Sequence, residues 1–363
     1  MSKCLDILYN EKPCYKIHIE NSFEKFPIFL SEEIVKKYNK VCIVTDSCVA
    51  NLHLNEFENS IKNSFETVIS YIFPHGESSK NLDTVQNLYE ELIINHFDRG
   101  DLLIALGGGV VGDMTGYAAA TYLRGIDFIQ VPTTLLSMVD SSIGGKTGVD
   151  FRAYKNMVGA FHMPKMVYTN LSTLSTLSEE LFSCGMGEIL KHGLIRDFDY
   201  YNGLIANKDA ILAGNLDLIE EMIYTSNRIK KEVVEEDPTE KGIRAHLNFG
   251  HTIGHAIEKL ADFSLLHGQC VGIGMIAAAY LSQKLGYLTD SDIDIIIKTN
   301  EMYGLPISVK GMNANDILAV SKNDKKMVGT KVKFVILEEM GKAAIYKDFS
   351  DDDLLWAINK VLV

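Results

Sequence analysis

The chain has 363 residues, of which 47% are hydrophobic and 23% are charged, and its formal net charge is -13. This length suits two domains, and the composition is ordinary for a globular protein. The acidity excludes general binding to nucleic acids or to anionic membranes, because both depend on basic surface. Residues 1–20 contain no signal-peptide core, the six cysteines form no CxxC pair, and the apolar stretch at residues 270–281 is too short to cross a bilayer. We therefore expect a cytosolic protein with reduced thiols.

Short apolar runs alternate with helix-like segments in the first half of the sequence. Runs at residues 41–45, 67–73, 102–106 and 128–131 are rich in β-branched side chains, and residues 83–96 carry apolar side chains at helical spacing. This alternation predicts a mostly parallel β-sheet with helices on its faces.

The second half of the sequence has a different pattern: helical periodicity dominates, and strand-like segments return only near the end. The change predicts a boundary near residue 174, and hence domains at residues 1–174 and 175–363. We expect helices at residues 179–194, 216–234, 251–260 and 271–285, and strands near residues 332–337 and 343–346.

A glycine-rich loop follows the predicted strand at residues 102–106. Gly107, Gly109 and Gly112 fit the pattern G-x-G-x-x-G, and a helix-like run follows as far as Leu123. Such glycines let the backbone approach a pyrophosphate at a helix N-terminus, although a tight turn without a ligand is an equal alternative. Asp46 also ends a strand, where an acid binds ribose hydroxyls or simply stabilises a turn.

Residues 132–160 are dense in glycine, hydroxyl and charged side chains. The GGKT sequence at residues 144–147 resembles the end of a Walker A loop, but Asp140 stands where that motif requires its first glycine. We therefore reject a P-loop. We predict instead a polar loop that contributes Asp140, Lys146, Lys155 and Asn156 to a site, although a charged loop is more often solvated surface.

A carboxylate and three histidines have the spacing of a metal site. Glu188 lies on a predicted helix, His251 and His255 share one face of another, and His267 opens a third. Glu and His ligands with an open position are typical of a catalytic divalent metal. A single such histidine is ordinarily a helix cap, and the residues alone leave open which histidines bind metal. They also do not separate zinc, cobalt and iron.

Several cationic side chains accompany this constellation in an otherwise acidic chain. They favour a substrate that carries both carboxylate and phosphate, although each one alone is more often a solvated surface group. The set comprises Arg124, Lys191, Lys230 and Arg244, together with the amide of Asn248.

Seven ordered segments together resemble the 3-dehydroquinate synthase family. The resemblance implies a Rossmann-like α/β N-terminal domain, a mainly α-helical C-terminal domain, NAD, a divalent zinc or cobalt ion, and a homodimer. The segments are GGGVVGDMTG (107–116), QVPTTLL (130–136), DSSIGGKT (140–147), KNMVGAF (155–161), GEILK (187–191), LNFGHTIGHAIE (247–258) and LHG (266–268).

The resemblance also implies a role for individual residues. The metal ligands are Glu188, His251 and His267. The NAD contacts are Asp46, His75, Gly76, Glu77, Ser78, Ser79, Lys80, Gly109, Val110, Val111, Gly112, Asp113, Thr133, Thr134, Lys146, Lys155, Thr173, Leu174, Ser175 and Thr176. The substrate and catalytic residues are Asp140, Lys146, Asn156, Lys191, Lys230, Arg244, Asn248, His255 and Lys326, with Arg124 reaching a neighbouring subunit.

Two positions depart from the pattern of this family. His75 stands where an aspartate is expected, and His192 replaces a usual tyrosine. Neither carries an implied role in the chemistry, so we expect a modest effect.

The reaction implied is a lyase reaction of aromatic amino acid biosynthesis. It converts 3-deoxy-D-arabino-heptulosonate 7-phosphate to 3-dehydroquinate and phosphate through transient oxidation, β-elimination, reduction and an internal aldol step. Two enzymatic alternatives stay open: a cyclase of another sugar phosphate, of the 2-epi-5-epi-valiolone or 2-deoxy-scyllo-inosose synthase type, and a metal-dependent polyol dehydrogenase. A non-catalytic nucleotide or metal sensor is a third alternative.

Overall fold

The structure is a computed structural model that describes residues 3–152, 154–237, 242–262, 264–322, 327–328, 331–332 and 334–363. The chain divides into two compact units, Met1–Leu177 and Ser178–Val363. No helix in the described ranges has the length and apolarity needed to span a bilayer.

The first unit is built on a seven-stranded sheet with the order β1-β2-β9-β6-β5-β3-β4, accompanied by a separate hairpin of β7 and β8. The strands of the sheet are parallel, except that the edge strand β1 is antiparallel to β2. The strands are β1 Lys3–Tyr9, β2 Lys12–Glu20, β3 Lys40–Asp46, β4 Thr67–Phe73, β5 Leu102–Gly107, β6 Asp127–Pro132, β7 Lys146–Phe151, β8 Tyr154–Phe161 and β9 Met166–Asn170.

Helices cover both faces of this sheet and create two apolar cores. Every residue of β5 is buried, which explains why this central strand has a continuous apolar sequence and not an alternating one. One core packs α4 and α5 against the sheet, and the other packs α1 and α3. The helices are α1 Phe26–Glu33, α2 Ser47–Val49, α3 Asn55–Ile61, α4 Leu82–Ile94 and α5 Gly109–Thr121.

The prediction of a polar loop at residues 132–160 is wrong for most of this range. A single helical turn, Ser137–Ser141, is followed by the antiparallel hairpin of β7 and β8. Gly148 and Gly159 face each other, and a Cβ on Gly159 would lie 2.3 Å from the Thr147 carbonyl oxygen. The small residues that led to the prediction of a loop therefore allow two strands to approach closely.

The second unit is mainly helical, which confirms the predicted fold class of an α/β domain followed by an α-helical one. Helix α11 begins at residue 267, four residues before the predicted start. The helices are α6 Glu179–Arg196, α7 Phe198–Ala206, α8 Lys208–Leu212, α9 Leu216–Glu236, α10 His251–Leu260, α11 His267–Lys284, α12 Asp290–Met302, α13 Ala314–Lys322 and α14 Asp351–Asn359. The strands are β10 Met327–Val328, β11 Lys331–Val332, β12 Phe334–Glu339 and β13 Lys342–Tyr346.

Glycines allow α6, α10 and α11 to pack closely. A Cβ on Gly187 of α6 would lie 2.7 Å from the carbonyl oxygen of Gly268 in α11. A Cβ on Gly274 of α11 would lie 2.0 Å from the carbonyl oxygen of Gly250, which precedes α10. Because backbone lies against backbone at both places, any side chain would push the helices apart.

We expect Gly274→Ala to lower the thermal unfolding temperature, because the added methyl group overpacks a backbone contact at a cost of about 1–3 kcal/mol. The matched control is Gly203→Ala in α7, since a Cβ there meets nothing within 4 Å. The control should be neutral or should stabilise by up to about 1 kcal/mol through helix propensity. Equal melting temperatures for the two variants would contradict the packing argument.

A candidate metal centre and a candidate dinucleotide loop

Glu188 lies at the centre of a cluster in the second unit. Its side chain is fully buried, and its Oε2 atom accepts a hydrogen bond from the ammonium of Lys191. Its Oε1 atom lies 3.5 Å from His251 Nε2 and 3.7 Å from His267 Nε2. Among the described residues this Oε1 atom has no hydrogen-bond partner. One oxygen of a buried carboxylate is thus directed at two imidazoles.

The two imidazoles are oriented through their other ring nitrogens. His251 Nδ1 lies 3.2 Å from the carbonyl oxygen of Phe249, and His267 Nδ1 lies 3.4 Å from Glu258 Oε2. A proton on each Nδ1 leaves the Nε2 lone pair on the side of Glu188. These hydrogen bonds therefore favour the tautomer that a metal ligand requires.

The charges around His267 favour a cation at this place. Burial alone would raise the pKa of the Glu188 carboxyl, but Lys191 and His267 lower this pKa well below its usual range. Burial opposes protonation of His267, but Glu188 and Glu258 raise the pKa of its imidazole to about 10. The potential that attracts a proton to this ring also attracts a divalent ion, which would displace that proton.

The donor set fits a divalent metal such as zinc or cobalt. Ligand atoms roughly 2.1 Å from a tetrahedral ion lie about 3.4 Å apart, close to the separations between Glu188 and the two imidazoles. One ligand atom each of His251, His255 and His267 lies within 4.8 Å of the others. His251 and His267 each have an ion-pair contact with Oε1 of Glu188, so these two histidines and the carboxylate are the candidate ligand set.

Three cationic side chains of the predicted substrate set are buried in the same unit. Lys191 is 1% exposed, Lys230 on α9 is 6% exposed, and Arg244 is 3% exposed. Arg244 lies in the short turn Ile243–Asn248, which the carboxylate of Asp237 fixes by accepting from the backbone amides of residues 242 and 244. Lys191 pairs with Glu188, and buried cations of this kind also suit a phosphate or carboxylate ligand.

The glycine-rich loop has the predicted strand–turn–helix context. Gly107 ends β5, and α5 begins at Gly109 behind an N-cap, Gly108, that makes no side-chain capping bond. A Cβ on Gly108 would lie 3.1 Å from Thr134, and one on Gly109 would lie 3.2 Å from Ser141. The glycines thus serve close packing, and they leave room for an anion beside the first-turn amides of α5.

Lys80 links predicted cofactor and substrate residues within the first unit. Its buried ammonium donates to Asp113 Oδ2 at 2.7 Å and to Asn156 Oδ1 at 2.6 Å. Burial raises the pKa of Asp113 in spite of the adjacent Lys80. The carbonyl oxygen of Lys80 also accepts from the amide of Asp150 on β7, which joins the loop after β4 to the β7–β8 hairpin.

The other predicted cofactor residues occupy turns of the first unit. Asp46 Oδ1 accepts hydrogen bonds from the backbone amides of Cys48 and Val49. This oxygen therefore caps the N-terminus of α2. Lys155 pairs with Glu77 at 3.3 Å. The Thr173–Thr176 segment lies in the short helix Leu171–Thr176, and Thr133 and Thr134 follow β6.

The remaining predictions fall in different surroundings. Arg124 is exposed on a turn in which Leu123 and Arg124 have φ values of 50° and 69°. His192 is buried, with Nδ1 2.8 Å from Ser226 Oγ. Lys326 lies outside the described residues.

Sequence reasoning missed one acidic residue at the centre, Glu258. It follows His251 by seven positions and so lies two turns along the same helix face. That periodicity is the signal that identifies it.

Two family models together span most of the chain. The model described as "3-dehydroquinate synthase N-terminal" matches residues 70–184, and "3-dehydroquinate synthase C-terminal" matches residues 185–327. A 3-dehydroquinate synthase of Acetivibrio thermocellus is 39% identical over 349 residues, which is 94% of this chain and 97% of the relative. A 3-dehydroquinate synthase of Desulforamulus reducens is 41% identical over 350 residues, which is 95% of this chain and 97% of the relative. The chain belongs to the 3-dehydroquinate synthase family.

Solved structures with similar folds include related cyclases and a dehydrogenase. A 2-deoxy-scyllo-inosose synthase complexed with carbaglucose-6-phosphate, NAD+ and Co2+ has a TM-score of 0.87 at 24% identity, covering 99% of this chain and 100% of its own. The 2-epi-5-epi-valiolone synthase of Streptomyces hygroscopicus, with NAD+ and Zn2+ bound, has a TM-score of 0.86 at 22% identity, covering 98% and 99%. A glycerol dehydrogenase of Schizosaccharomyces pombe has a TM-score of 0.66 at 15% identity, and the match covers 94% of this chain and 87% of that structure's chain. At these identities the likeness shows the fold alone.

We predict that Glu188→Ala and His267→Ala weaken Co2+ binding by at least about 100-fold, because each removes a proposed ligand of the metal. His255→Ala is the matched control from the same histidine cluster, and it should retain Co2+ affinity within a few-fold. Competition with a chromophoric chelator measures all three. Loss of binding in His255→Ala with full binding in His267→Ala would reverse the assignment of ligands.

Proposed function

We propose that this chain is a 3-dehydroquinate synthase that converts 3-deoxy-D-arabino-heptulosonate 7-phosphate to 3-dehydroquinate and phosphate. The observation that carries the proposal is the convergence of Glu188 with His251 and His267, in a chain whose two halves match the two family models. The glycine-rich loop that precedes α5 in the first unit is proposed to bind NAD, and the cluster around Glu188 is proposed to bind zinc or cobalt. NAD supplies reversible hydride transfer when bound, and the metal supplies Lewis-acid polarisation of substrate oxygens.

The protein's own residues bind and orient a doubly anionic substrate in this proposal. Lys230 and Arg244 are buried cations that pair with phosphate or carboxylate oxygens. Lys191 occupies Oε2 of Glu188, which leaves Oε1 as the ligand atom. Asn248 ends the turn that carries Arg244, three residues before His251 opens α10, so we assign its amide to orienting substrate oxygens next to this proposed metal ligand.

Proton movement is assigned to groups beside the metal ligands. The rings of His251 and His255 lie 5.2 Å apart in an edge-to-face arrangement, so His255 can exchange a proton close to the reacting centre without being a ligand. In the first unit, Lys80 holds the Asn156 amide in a fixed orientation, which favours a positioning role for this substrate residue.

Purified protein given the heptulosonate phosphate, catalytic NAD and zinc or cobalt should release phosphate and form 3-dehydroquinate with no net NADH.

Lys230→Met should lower kcat/KM by about 10–100-fold, because a charged hydrogen bond to substrate is lost. Lys231→Met is the matched control on the same helix, since Lys231 pairs with Glu235 and not with the predicted substrate set. It should change kcat/KM less than twofold.

Other outcomes of this assay favour the competing functions. Net production of NADH would indicate a polyol dehydrogenase. No turnover of this substrate, together with turnover of sedoheptulose 7-phosphate, would indicate a different sugar phosphate cyclase.

We also propose that the enzyme acts in the cytosol as a homodimer in which Arg124 serves the partner's substrate site. The support is the exposure of Arg124 on a left-handed turn, which projects a cation outward from the first unit.

A subunit-mixing experiment tests this proposal. Arg124→Ala and Glu188→Ala should each be inactive alone. In a mixed dimer one site combines an intact Glu188 with an intact Arg124 from the other chain, so about half the wild-type activity per dimer should return. Activity that stays absent after subunit exchange has been verified would place Arg124 in its own subunit's site or outside any site.

A further inference from the structure

We propose that Glu258 is a positioning residue that fixes the ring of His267 for metal binding; this inference rests on the metal site proposed above. The His267 imidazole lies between two carboxylates. Its Nε2 atom faces Glu188 Oε1 at 3.7 Å, and its Nδ1 atom faces Glu258 Oε2 at 3.4 Å. Each ring nitrogen therefore has a distinct partner.

The two partners impose a division of roles on the ring. A neutral imidazole carries one proton, and a carboxylate only accepts hydrogen bonds, so Glu258 favours the tautomer with that proton on Nδ1. The lone pair of Nε2 is then directed towards Glu188, where the metal is proposed to bind. A carboxylate on the distal nitrogen also makes the imidazole a more basic ligand than a neutral acceptor would.

His251 provides a contrast within the same centre. Its Nδ1 faces the backbone carbonyl of Phe249 at 3.2 Å, so no substitution of a side chain removes that acceptor. His267 depends instead on the side chain of Glu258. Substitution at residue 258 therefore affects the orientation of one ligand and leaves that of the other unchanged.

The location of Glu258 is consistent with this role. It is 5% exposed and lies two turns after His251 on the same face of α10, whereas His267 opens α11. One helix thus supplies a ligand and also the acceptor that orients a ligand on its neighbour. A purely structural alternative is that the pair only holds α10 and α11 together, and this alternative affects stability but not metal affinity.

The test compares Glu258→Ala and Glu258→Gln with the wild type and with Glu301→Gln, an exposed glutamate on α12 of the same unit. Each apoprotein is titrated with Co2+ against a chromophoric chelator, and its thermal unfolding is measured without metal. We expect Glu258→Ala to raise the Co2+ dissociation constant about 10–100-fold and to alter the visible absorption bands of bound Co2+. Glu258→Gln keeps an acceptor without the charge, so its affinity should lie between those of Glu258→Ala and the wild type. Glu301→Gln should match the wild type.

The outcomes separate this inference from the function on which it rests. Unchanged affinity and spectra in both Glu258 variants, with Glu188→Ala still losing Co2+, would overturn the role of Glu258 and retain the metal site. A wild-type protein that binds no Co2+, or whose affinity does not depend on Glu188, would overturn both. If Glu258→Ala does not fold, Glu258→Gln decides, because it preserves side-chain volume.

Discussion

The second unit depends on a carboxylate that is buried completely. Removing a charged group from water costs several kcal/mol unless other charges and hydrogen bonds compensate. Lys191 contacts Oε2 of Glu188, and the rings of His251 and His267 lie near Oε1; the positive charges of Lys191 and of His267, whose pKa is raised, offset the burial of the carboxylate. These groups come from three helices, which reach each other only because glycines remove the intervening side chains. The packing of the unit and the chemistry of its centre therefore have one common cause.

This arrangement gives the ligands little freedom. His251 and His267 are the first residues of α10 and α11, so the helices themselves set where each ring begins. Their distal nitrogens are held by a backbone carbonyl and by Glu258. Ligands fixed by packing and by a surrounding layer of hydrogen bonds lose less entropy when an ion binds. The fold itself therefore holds the proposed ligands in place.

The sequence alone predicts helices α6, α9, α10 and α11 and the parallel strands β3, β4, β5 and β6, because apolar periodicity is a local signal. It does not identify helices α7, α8, α12, α13 and α14. It misses strands β1, β2, β7, β8 and β9, whose formation depends on pairing with distant segments. The β7–β8 hairpin is the clearest case, since glycines that allow close strand pairing look like loop residues. The proposed metal ligands are recognisable as residue types, but the sequence does not show that His251 and His267 lie against Glu188. Glu258 is missed because an orienting residue has no motif of its own.

The fold does not separate the candidate activities, since cyclases and a glycerol dehydrogenase share it with TM-scores of 0.87 and 0.66. Function depends on the groups that the fold places in the site. A polyol is neutral and needs no buried cations beyond those that stabilise the protein. This chain is acidic overall, yet it buries Lys191, Lys230 and Arg244 in the unit that holds the proposed metal ligands. Lys191 already pairs with Glu188, and a phosphorylated carboxylic acid brings further anions of the kind that buried cations stabilise. The electrostatics of the site, more than its architecture, therefore favour the anionic substrate.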